Sequence, residues 1–107
     1  MKNYDIYGSK NLNLAKIAKK IDLVLDTQFK IGNSYYYGGE YYRYGEGNTE
    51  NFILQSNFNQ IEQEWSKIIF QEFPLLLFVN NTDRADEIRN LFITSISELE
   101  FLKRREV

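Results

Sequence analysis

The run Leu75-Leu76-Leu77-Phe78-Val79 restricts the fold of this chain more than any other stretch. Five consecutive apolar residues cannot alternate between core and water, so as a strand they need cover on both faces, which places them inside a sheet. Pro74, the only proline, stands directly before the run and ends any helix that approaches it. The remaining residues must therefore supply neighbours for a central strand.

Those neighbours are visible as a change of period. From Asn11 to Asp26, Leu14, Ile17, Ala18, Ile21, Val24 and Leu25 recur at three- and four-residue steps, which predicts a helix with Asn11 as its cap and Lys16, Lys19 and Lys20 on the solvated side. Between Phe29 and Asn57 short runs rich in Tyr, Phe and Ile are broken by Gly38-Gly39 and Gly45-Glu46-Gly47-Asn48, which predicts strands over 29–35, 40–44 and 51–57. Gly45 and Gly47 are expected to supply the positive φ of the last connection. Phe58, Ile61, Trp65, Ile68 and Ile69 fit a short helical stripe within 58–73. After the turn Asn80-Asn81-Thr82, Asp83 is expected to cap a long C-terminal helix. Asp86 and Glu87 would lie at its start, and Lys103, Arg104 and Arg105 at its end. The predicted fold is α+β, with the order αβββ(α)βα and a mostly antiparallel sheet of about four strands. A chain of 107 residues with 43% hydrophobic and 26% charged residues predicts a single domain over 1–107.

Composition then removes whole classes of chemistry. The chain has neither Cys nor His, which excludes a disulfide scaffold, a thiolate metal site and a cysteine nucleophile, and leaves no imidazole as general base. Carboxylate pairs such as Glu40 with Glu46, or Glu62 with Glu64, would need a cleft that a small domain with one shallow sheet is not expected to form. Gly38-Gly39 lacks the further glycines or the Lys-Ser/Thr pair of a phosphate loop and reads as a turn or bulge. No enzymatic activity, cofactor or metal is expected. The first residues carry no apolar run of signal-peptide length and no stretch approaches a membrane span, which predicts a cytoplasmic protein. A formal charge of −2 without a dense basic cluster argues against nucleic acid as partner.

Tyrosines and acidic residues cluster together. Residues 1–30 carry six Lys against three Asp, whereas residues 31–75 carry Arg43 and Lys67 against six Glu, and six of the eight tyrosines lie between Tyr35 and Tyr44. Tyrosine offers a rigid apolar body with one hydroxyl, and complementary charge accelerates encounter, so this segment is expected to meet a basic partner protein. Tyr36, Glu40, Tyr42, Tyr44, Glu46 and Glu50 are the expected contacts. A plain structural reading also accounts for tyrosines here, since strand residues alternate between core and surface.

The stretch from Asn33 to Arg43, with its Ser34-Tyr35-Tyr36-Tyr37-Gly38-Gly39-Glu40-Tyr41-Tyr42 core, is followed by Glu50-Asn51-Phe52-Ile53-Leu54-Gln55-Ser56-Asn57 and Phe73-Pro74-Leu75-Leu76-Leu77-Phe78-Val79. In this order it resembles immunity proteins of bacterial contact-dependent growth inhibition and related polymorphic toxin systems. The resemblance covers about residues 11–95 as an order of elements and leaves 58–72 and the C-terminal extension outside it. It implies a cytosolic neutraliser that binds one cognate toxin domain, often a nuclease, without catalysis. An intracellular regulatory or adaptor domain, and a small-ligand binder using tyrosines as stacking platforms, are the other expectations the residues support.

Overall fold

A computed structural model describes residues 2–107. The apolar run forms the first five residues of strand β7 (Leu75–Thr82), which lies between β4 (Asn51–Ser56) and β1 (Asn3–Ser9). With β2 (Lys30–Ser34), β3 (Gly39–Tyr44) and β8 (Glu100–Glu106) they make one antiparallel sheet in the order β2-β3-β4-β7-β1-β8. The α+β class and the antiparallel sheet agree with the sequence reading, but the sheet has six strands rather than four.

Helices α1 (Leu14–Leu25) and α2 (Ala85–Ser95) lie on one side of this sheet. Their apolar stripes, Ile17 and Ile21 from α1 with Ile88 and Phe92 from α2, meet Leu54, Leu75, Leu77 and Val79 in the core. Each fully buried aliphatic side chain contributes roughly 1.5–3 kcal/mol there. Helix α1 begins two residues later than expected: the Asn13 side chain accepts from Lys16 N at 3.0 Å, while Asn11 accepts from Asn13 N at 2.9 Å. Gly45 does adopt positive φ, at 80°, and a Cβ there would stand 2.3 Å from the Glu50 carbonyl oxygen. Gly47 does not share this conformation.

Three expectations are corrected. First, β1 was absent from the predicted order: it carries Asp5, buried at 1% exposure and held by the Arg104 guanidinium through bonds of 2.9 and 3.0 Å, so a core position reads as a polar one. Second, the C-terminal helix ends at Ser95, and Lys103, Arg104 and Arg105 belong to edge strand β8 rather than to a helix end. Asp83 does not cap α2: the N-cap position is Arg84, without a side-chain cap bond, and Thr82 Oγ1 accepts from Arg84 N at 3.2 Å just before the helix. Third, residues 58–73 are not a single helix. They form the two-residue strands β5 (Phe58–Asn59) and β6 (Glu64–Trp65) and a 3-10 turn at Ile68–Phe70. Asn57, completely buried, organises this segment: its amide donates to the carbonyls of Phe70 at 2.9 Å and Phe73 at 3.1 Å, and its Oδ1 accepts from Lys67 N at 2.9 Å.

Candidate binding face

Strand alternation sends every second residue away from the helices, and the opposite side of the sheet has no helix over it. Tyr4 and Ile6 from β1, Phe78 and Asn80 from β7, Ile53 and Gln55 from β4, and Tyr41 and Arg43 from β3 occupy this open face. The β2–β3 turn rises at one end, where Tyr36, Tyr37 and Tyr41 are in ring contact, with centroids 5.0 Å (Tyr36 to Tyr37) and 4.4 Å (Tyr37 to Tyr41) apart. Tyr41 lies across Gly32, its cross-strand partner: a Cβ on Gly32 would meet the ring at 2.5 Å, so the glycine makes room for the tyrosine. The β5–β6 segment stands beside the turn, with the Asn59 amide donating to Tyr35 O at 2.9 Å and Gln55 Nε2 donating to Ser66 Oγ at 3.3 Å.

Between these walls three hollows abut. One of about 220 Å³ lies under Tyr36 and Trp65, beside Glu62 and Glu64. The next, about 290 Å³, runs past Tyr37, Ile53 and Gln55 to Phe78. The last, about 230 Å³, continues over Ile6 and Phe78 to Tyr4, Lys67, Lys103 and Arg105. They share Tyr36, Tyr37, Gln55 and Ser66 at one junction and Lys67, Phe78 and Asn80 at the other, and so form one trough. Crossing from β3 to β8 takes four strand spacings, roughly 19 Å. Exposed Ile68 and Ile69 follow Lys67 directly in the chain.

The six residues expected to meet a partner do not form one surface. Tyr36 stands on the trough and is 80% exposed. Glu40, Tyr42 and Tyr44 share the opposite parity on β3 and point to the helix side: Tyr42 is buried at 8% exposure in the core and Tyr44 packs on Phe52 with centroids 5.2 Å apart. Burial, and secondarily Glu40, raises the Tyr42 phenol above its ordinary pKa. Glu40 borders a shallow hollow formed by Asn11–Ala15, and Glu46 lies in the exposed β3–β4 turn. Glu50 is engaged within the chain. It accepts from Arg84 Nε at 2.9 Å, Arg84 Nη2 at 2.8 Å and Thr82 Oγ1 at 2.7 Å, and the Arg84 bonds above all hold its carboxyl below the usual range. The expected acidic face for a basic partner is thus dispersed, because Tyr42 is core and Glu50 is already paired.

What the sequence reading missed is the other parity. Tyr4 and Ile6, and Lys103 and Arg105, alternate with the inward-facing Asp5, Tyr7 and Arg104, and this period of two was the available signal. Among the described residues no group of three or more Asp or Glu is placed to hold a metal ion, and no helix is long and apolar enough to cross a membrane. The architecture is a two-layer α+β fold with one sheet face bare of α-helices and partly covered by residues 57–73, beside which Ile53 and Gln55 are buried. No family model matches this chain, and no curated protein matches it in sequence.

Proposed function

We propose that this chain is a non-catalytic binding protein that engages a partner protein across the open face of its sheet, and that this partner is a toxin domain it neutralises. The observation that carries the first part is the continuous trough from Tyr36 to Arg105 with its aromatic and aliphatic floor. The joined length, roughly 19 Å across four strand spacings, suits an extended stretch of about six residues. Aromatic and Arg side chains are enriched at the centres of protein interfaces, as they are here. The toxin is supported by the resemblance at residues 33–43, which form the β2–β3 hairpin and bring Tyr36 and Tyr37 to the trough. The partner-contact residues this reading favours are therefore Tyr4, Tyr36, Phe78 and Arg105.

Co-expression with the toxic C-terminal region encoded beside the gene tests it. The wild-type chain should preserve growth and co-purify with the toxin. Tyr36→Ala with Phe78→Asp should abolish protection, since truncating one central anchor alone costs ~2 kcal/mol, about thirtyfold in Kd. Protection unchanged in that double variant would move the interface off this face. Absence of any toxic neighbour would favour a regulatory or adaptor domain with the same face.

A further inference from the structure

Resting on that reading of the open face, we infer that its basic end holds a short acidic segment of the partner protein, two or three carboxylates long, with an apolar side chain seated on Ile6 and Phe78. Lys67, Lys103 and Arg105 ring that hollow and make no ion pair among the described residues. The one carboxylate in its lining, Asp5, is buried and bound by Arg104 on the helix side. Four other cations have carboxylate partners, Lys2, Lys20, Arg84 and Arg104, while Lys10, Lys16, Lys19, Lys30, Arg43 and Arg89 have none among the described residues; what sets Lys67, Lys103 and Arg105 apart is that they converge on one hollow.

Of the three cations at this hollow, Arg105 is held by its side chain and Lys67 by its backbone. Arg105 stacks over the ring of its cross-strand partner Tyr4, 4.8 Å from the centroid. Lys67 has its backbone fixed on both sides by the buried Asn57, which accepts from its N–H at 2.9 Å and donates to its carbonyl at 3.3 Å. The Tyr4 contact orients the Arg105 charge without neutralising it, which lowers the ordering cost of binding an anion, and the Asn57 bonds fix where the Lys67 side chain starts. Ile6 and Phe78, half-buried beside these exposed cations, offer an apolar contact to a side chain next to the carboxylates. Edge-strand cations that merely discourage strand pairing would account for Lys103 and Arg105, but not for Lys67, which belongs to a separate segment. A nucleic acid strand is disfavoured because Glu62 and Glu64 stand at the far end of the same trough, where a phosphate backbone would be repelled.

The test is an NMR titration of the isotope-labelled full chain at low salt with a synthetic peptide of three glutamates followed by tyrosine and leucine, and in parallel with an oligothymidylate. Saturable peptide shifts centred on Ile6, Phe78 and Lys103 are expected, weakened about tenfold in Lys103→Glu with Arg105→Glu and by added salt. The milder pair Lys103→Gln with Arg105→Gln should weaken binding in the same direction should the charge reversal fail to fold. No saturable shifts, undiminished binding by folded charge variants, or binding of the oligothymidylate in place of the peptide would overturn the inference. Loss of protection by the Tyr36 and Phe78 double variant, together with a peptide that does not bind, would remove the acidic segment and leave the face itself standing.

Discussion

Glu50 shows how one side chain can serve the fold where the sequence pointed to a partner. Its carboxylate joins the end of β7, through Thr82, to the start of α2, through Arg84, across more than thirty residues of chain. Because its pKa is depressed in the folded state, the unfolded chain binds more protons at acidic pH. The stability it confers is therefore complete above about pH 5 and is lost as pH falls through the folded value. Glu50→Gln should cost about 1 kcal/mol at pH 7, since Arg84 is a third exposed and water screens the pair. The gap between wild-type and variant urea midpoints should hold steady down to about pH 5 and narrow from there to about pH 3. A gap independent of pH would show that the carboxylate's charge plays no part. Nothing in the residues around Glu50 announces this bond, because Thr82 and Arg84 reach it only through the β4–β7 pairing.

At the level of elements, α1, the strands β2, β3 and β4 and the central strand β7 were legible, because local period and glycine placement coincide with the tertiary demand. Edge strand β8 was not: Glu, Leu, Lys and Arg are strong helix formers, and only the pairing of Asn3–Gly8 with Glu100–Glu106 overrides that preference. β1 was hidden because its inward positions include Asp5 and Ser9. The segment after β4 takes its order from two buried asparagines, Asn57 and Asn59, rather than from a periodic apolar stripe. Asn57 satisfies backbone groups of Lys67, Phe70 and Phe73, so Asn57→Ala leaves carbonyls and an N–H unpaired at a buried site, at a cost of roughly 3 kcal/mol. Faster hydrogen exchange confined to 58–72 should accompany the loss. Exchange spreading instead through β4 and β7 would mean that the segment and the sheet unfold as one unit.

For the molecule as a whole, the decisive asymmetry is that β7 is apolar on both faces while helices cover only one. The strand's neighbours bury Leu76 on the bare side, beside Gly8, over which Phe73 and Leu102 crowd so closely that a Cβ would meet them at 2.6 and 2.9 Å. Phe78, farther along the same face, is left half-buried at the bottom of the trough. Adjacent residues therefore carry different tasks. Leu77, fully buried under the helices, should cost about 3 kcal/mol of stability when changed to Ala, through lost transfer energy and a cavity. Phe78→Ser should cost less, about 2 kcal/mol, because Phe78 is only partly buried. Partner binding should respond in the opposite order: Leu77→Ala protein that remains folded should still protect against the toxin, and Phe78→Ser should not. Thermal unfolding and co-expression on the same pair of variants read both quantities. Equal losses of protection in proportion to stability would show that function follows folding alone, and would remove the bare face as the working surface.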